Sequence, residues 1–148
     1  MKRTIYILLA LVMLAGCKEK GGDPVEETMT LKEKMVGEWH CSPSDIVADI
    51  FLSFTSDGSF ELYQQITTGA HRLYRGTWSI TDEGLGHLDG KYNDGSDWAS
   101  GYVVTMDEKA EKMTITSRES ADAAAQHYSR TEIPASVKEN CVVEVKSN

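Results

Sequence analysis

The chain is short of most features that announce a function. Its longest apolar stretch, Ile5 to Ala15, is about eleven residues, where a membrane-spanning helix needs roughly twenty. No G-x-S-x-G, glycine-rich phosphate loop or H-E-x-x-H occurs, so the sequence offers no catalytic residue set and implies no cofactor. Basic residues are scarce: 15 Lys and Arg face 23 Asp and Glu, for a net charge of −8. An acidic chain without a basic, aromatic-interleaved patch repels phosphate backbones, which argues against nucleic acid as a partner. The histidines, His40, His71, His87 and His127, fall on different strands and show no metal-ligand spacing. "DGKYNDGSD" gathers oxygen from Asp89, Asn93, Asp94 and Asp97. It misses the EF-hand spacing, and hairpin turns use the same residues for backbone reasons. No metal site is expected.

What is present begins at the N-terminus. Lys2 and Arg3 precede the short apolar run, and small residues end it. This is the layout of a secretory signal peptide. Leu14-Ala15-Gly16-Cys17 resembles the lipobox of bacterial lipoproteins. The resemblance implies cleavage after residue 16 and acylation of Cys17, such as by palmitate. Two or more acyl chains, at about 0.8 kcal/mol per buried methylene, hold a protein stably on a membrane. "KEKGGDPVEET" follows, too polar to bury a core, and reads as a flexible tether. The expected organisation is a signal peptide over 1–16, lipidated Cys17 and tether over 17–28, and a folded domain over 29–148. Lys18 stands where enteric inner-membrane retention uses Asp, which favours the outer membrane of the cell envelope.

Setting Cys17 aside leaves Cys41 and Cys141, both outside the cytoplasm. Such a pair is a disulfide candidate, and closing a loop of roughly 100 residues is worth up to about 4.7 kcal/mol in the chain-entropy model. Two free thiols are the alternative.

From residue 36 onward the pattern alternates. "TLKEKMVG" before it has capping-box spacing at Thr30 and Glu33 and predicts a short helix. Ile50, Leu52 and Phe54 alternate, Ser56-Asp57-Gly58 turns the chain, and Phe60 and Leu62 resume. Tyr74, Gly76, Trp78 and Ile80 share one face of a later strand, and Trp98, Tyr102, Val104 and Met106 one face of another. Eight strands joined by short turns predict an all-β domain, an eight-stranded antiparallel up-and-down barrel with no exposed edge. No connection is long enough for a crossover helix, which argues against parallel pairing.

Gly37-Glu38-Trp39 matches the G-x-W of lipocalins, and "LSFTSDGSF", "YRGTWSI" and "YSRTEIP" resemble small lipocalin-like domains of Bacteroides lipoproteins. The likeness runs from Leu31 to Pro134. It implies a lipocalin-like barrel in which Trp39 closes the floor beneath Arg130, a contact worth about 0.5–2 kcal/mol. It also implies a cavity for a small hydrophobic or amphipathic ligand. Tyr63, Tyr74, Trp78, Trp98 and Tyr102 are the candidate lining residues. The same rings could instead fill a solid core. The expected protein is therefore non-enzymatic and held to the membrane by lipid. It is either a ligand-binding barrel or a solid interaction or inhibitor module whose protein partner the sequence does not name.

Overall fold

The computed structural model describes residues 28–41, 48–120 and 122–145. The signal peptide, Cys17 and the tether up to residue 27 lie outside the described residues. Two-residue periodicity sorts the side chains onto the two faces of the sheet. Along Asp49–Phe54, Ile50, Leu52 and Phe54 are buried in one core cluster, while Phe51 belongs to another. The same alternation runs through Gly37–Cys41 (β1), Asp49–Phe54 (β2), Ser59–Gln65 (β3), Arg72–Asp82 (β4), His87–Tyr92 (β5), Asp97–Met106 (β6), Lys112–Ser117 (β7) and Gln126–Arg130 (β8). Each strand pairs antiparallel with the next. β8 then returns to β1, where Trp39 lies opposite Arg130 and Cys41 opposite Tyr128. The result is a closed eight-stranded antiparallel barrel in up-and-down order.

Turn chemistry fixes the hairpins. Between β2 and β3, Gly58 takes a φ of 87°, and the Asp57 carboxylate accepts from the Ser59 N–H at 2.9 Å. Between β5 and β6, Gly95 has a φ of 84° and its N–H donates to the Tyr92 carbonyl. Positive φ is where glycine carries no steric penalty.

One end of the barrel is stopped by Leu31–Met35 (α1). Thr30 and Glu33 cap each other reciprocally, and the Glu83 carboxylate accepts from the Leu31 N–H at 2.8 Å. Met35 is fully buried, and its carbonyl accepts from Trp39 Nε1 at 2.8 Å. Above this floor, Phe54, Phe60, Trp78, Leu88, Val104 and Met113 fill the interior. Full burial of such side chains contributes about 1.5–3 kcal/mol each.

After β8 the chain leaves the barrel wall and runs across its outside as Ala135–Asn140 (α2) and Val142–Val143 (β9). Ile133 anchors this strap in a second core cluster with Phe51, Tyr63 and Leu73, against which Val137 and Cys141 pack. β9 lies parallel to β4, with Val142 opposite Arg72 and Val143 opposite Leu73. The expectation of purely antiparallel pairing therefore fails here. The parallel partner arrives by a path around the barrel, so no local crossover is needed. β5 begins to accompany β4 only at Gly76, and β9 covers part of the edge left open before it.

Candidate functional site

The end of the barrel opposite α1 is built from the later residues of β3, β5 and β7 and the earlier ones of β2, β6 and β8. Their inward side chains enclose a chamber of about 160 Å³. Ile50, Leu62 and Ile115 form its apolar part, while Gln64, Tyr92, Trp98, Tyr102, Gln126 and Tyr128 bring rings and polar atoms. The Tyr128 hydroxyl donates to Gln126 Oε1 at 2.7 Å. Burial pushes the Tyr128 hydroxyl well above the ordinary tyrosine value, with charge at Cys41 and Tyr102 adding to it. Burial pushes Tyr92 up to about 12, helped by Tyr102, Tyr74 and Asp94. Both phenols are thus neutral, and the O–H of Tyr128 is spent on Gln126.

Below the chamber the rings leave no open shaft. Phe60 stacks on Trp98 at 4.2 Å between centroids, and Phe54 meets Trp78 at 4.7 Å and Trp98 at 6.1 Å. Gly90 makes room for this column. A Cβ there would lie 2.6 Å from Trp98 Cε3 and 3.1 Å from the Thr77 carbonyl.

The five aromatic residues singled out from the sequence do not share one cavity. Trp98 and Tyr102 line the chamber. Trp78 is 4% exposed within the packed core, its Nε1 donating to the Ser59 carbonyl at 3.0 Å. Tyr74 packs against the interior cluster and borders a separate cleft beside Tyr92 and the strap. Tyr63 is on the outside of the wall, under the strap, and its hydroxyl donates to Glu61 Oε2 at 2.7 Å. Tyr92, Tyr128, Gln64 and Gln126 complete the chamber and were not singled out. Their signal was in the sequence: Leu88-x-Gly90-x-Tyr92 and Gln126-x-Tyr128-x-Arg130 keep the inward period.

At the other end, Arg130 and Trp39 are brought together, with the guanidinium carbon 4.2 Å from the ring centroid. The guanidinium also donates to the carbonyls of Ala110, Val36 and Lys34, at 2.8, 2.9 and 2.6 Å.

Residues 1–17 match the model described as the prokaryotic membrane lipoprotein lipid attachment site. The match ends on Cys17 and supports a lipid-anchored protein of the cell envelope. No curated protein matches the chain significantly.

Cys41 and Cys141 are not bridged to each other in the structure, which departs from the expected Cys41–Cys141 disulfide. Strand parity is the reason. Cys41 faces the barrel interior with Ile50 and Tyr128, whereas Cys141 packs outside the wall against the strap's own cluster, its Sγ donating to the Lys138 carbonyl at 3.2 Å. The strap is held instead by Glu38, whose carboxylate accepts from the Ile133 N–H at 2.6 Å and from Lys138 Nζ at 2.8 Å.

His40 and His71 converge outside the barrel. Their Nε2 atoms lie 2.6 and 3.0 Å from the two oxygens of Asp49. The oxygen-rich β5–β6 hairpin is likewise occupied by structure: Asp94 accepts from Ser96, and Asp97 pairs with Lys91 at 2.8 Å.

Proposed function

We propose that this lipoprotein is a non-catalytic, lipocalin-like binding module that takes a small amphipathic molecule into the chamber opposite α1. The lipocalin-like reading is supported by the barrel order, the short helix before G-x-W and the Arg130–Trp39 contact. The outer membrane is the proposed site of anchoring, from Lys18 following Cys17.

One observation carries the ligand reading. The chamber is the place inside the barrel where aromatic faces, amides and neutral phenols converge on unfilled volume. Its size sets the ligand. An apolar cavity of about 150 Å³ takes benzene, and drug-sized pockets begin near 300 Å³. A single substituted ring or a short chain end fits; a sterol or haem does not.

Titration with phenol, p-cresol and benzamide, followed by Trp fluorescence and melting temperature, tests this. Binding should shift the emission of Trp98 and raise the melting point, since a ligand specific to the folded state stabilises it by about 2.7 kcal/mol at a hundred times Kd. Ile115→Phe fills the chamber and should abolish both responses while leaving the barrel folded. Absence of any response across the panel rejects ligand binding. That result would favour the interaction-module reading, for which Ile66, Val142, Val143 and Val145 offer side chains 53–79% exposed on the outside.

A further inference from the structure

A second concavity opens between the start of β4, the end of β5 and the strap. It holds about 210 Å³ between the strap and the β5–β6 turn. Tyr74 and Tyr92 line it, their ring centroids 5.9 Å apart and inclined at 58°. Arg75, Asn93, Asp94 and Glu144 also line it, with Val143 and Val145 of the strap. The elements that set these groups are firm. The Asn93 N–H donates to the Arg75 carbonyl at 3.0 Å, the Glu144 N–H to the Leu73 carbonyl at 2.9 Å, and Asp94 is fixed by Ser96.

We propose that this cleft binds a neutral saccharide, one sugar ring at a time. The combination of side chains is the argument. A pyranose has one face of C–H groups and a perimeter of hydroxyls. The electron-rich faces of Tyr74 and Tyr92 meet the first. The second needs planar groups that accept and donate in pairs, which are the carboxylates, carboxamide and guanidinium of the rim. The volume exceeds the roughly 150 Å³ that accommodates benzene and suits one six-membered ring. Charge selects against anionic sugars. Arg75 Nε is engaged by Glu61 at 2.8 Å and Arg72 by Glu144 at 2.9 Å, Asp94 adds a negative charge, and the whole chain stands at −8. An apolar peptide would cover the charged rim and offer it no hydrogen bonds in return.

The site is distinct from the chamber, although Tyr92 borders both. The full-length lipoprotein, extracted into detergent micelles, would be titrated with methyl glucoside and N-acetylglucosamine and followed by amide chemical shifts. Glucose 6-phosphate serves as the anionic comparison. The neutral sugars should perturb residues 74–75, 92–94 and 143–145 in a saturable manner, and the phosphate should bind at least about tenfold more weakly. Asn93→Ala, at an exposed position, and Glu144→Gln, which is partly buried and paired with Arg72, should each weaken binding by about tenfold with the barrel still folded. Shifts that are absent, that persist unchanged in both variants, or that centre on Gln126 and Tyr128 would overturn the proposal. The last pattern would instead support the chamber. Loss of sugar binding with phenol binding intact would separate the two sites.

Discussion

Gly37 shows how much one residue carries in this barrel. Its φ is 134°, a conformation L side chains rarely adopt, and a Cβ placed there would run into Arg130 Nη1. The glycine of G-x-W is therefore needed twice, for the backbone and for the guanidinium that covers Trp39. Arg130 in turn ties β8 to the turn before β7 and to the end of α1 through three carbonyls. Arg130→Ala should cost about 1–3 kcal/mol, because hydrogen bonds to a charged group and a cation–π contact are lost together. Arg130→Lys should recover little of this, since an ammonium cannot reproduce the planar fork. Gly37→Ala should destabilise as well, and the double alanine variant should lose less than the sum of the singles, because removing Arg130 removes the collision. Urea melts of the native chain, the two alanine variants and their combination give the coupling directly. Strict additivity would show that the two residues act independently.

At the scale of elements, the strands were legible and the strap was not. Ile50/Leu52/Phe54 and Tyr74/Gly76/Trp78 announce strands because one face of each is buried continuously, and burial writes a two-residue period into the sequence. The period also places Trp98 and Tyr102 inside, so part of the chamber was readable. It does not say which strand ends leave space unfilled, and Trp78 and Trp98 look alike in sequence. Tyr63 was misjudged because it faces outward, yet is buried at 3% exposure by a strap that pattern alone does not reveal. α2 and β9 escape for a further reason. No residue of α2 is buried, its N-cap Pro134 makes no side-chain capping bond, and a two-residue parallel pair has no local signature. The strap's dependence on Glu38 can be measured. Glu38→Ala strands the Ile133 N–H and should cost about 1–3 kcal/mol, and it should expose 134–145 to limited proteolysis while the eight strands stay protected. Glu38→Gln keeps an acceptor for Ile133 and should lose less. Equal protease resistance in all three proteins would mean that the apolar cluster around Ile133 holds the strap alone.

The molecule as a whole joins an attachment signal to an acidic barrel. A chain of net charge −8 gains nothing from anionic lipid, and the lipid attachment match that ends on Cys17 supports an acyl anchor instead. Cys17→Ser should move the protein from the membrane fraction to the soluble fraction of the host cell, with the barrel's melting temperature unaltered. Continued sedimentation with membranes would place the attachment elsewhere in the chain.

Closure of the barrel has a temporal consequence. Arg130 bonds the Val36 carbonyl across 94 positions, and β1 has no second neighbour until β8 arrives. A chain exported from its N-terminus presents β1 first and β8 nearly last. In that interval the hairpins can form locally, but the outer edge of β1 and the buried face of Trp39 stand open. Joining ends so distant in sequence requires loop-closure entropy to be overcome before the contacts return it, which makes this step slow. The seam between first strand and last is thus the latest the chain can close, and until it does the outer edge of β1 is open to pairing with a second chain.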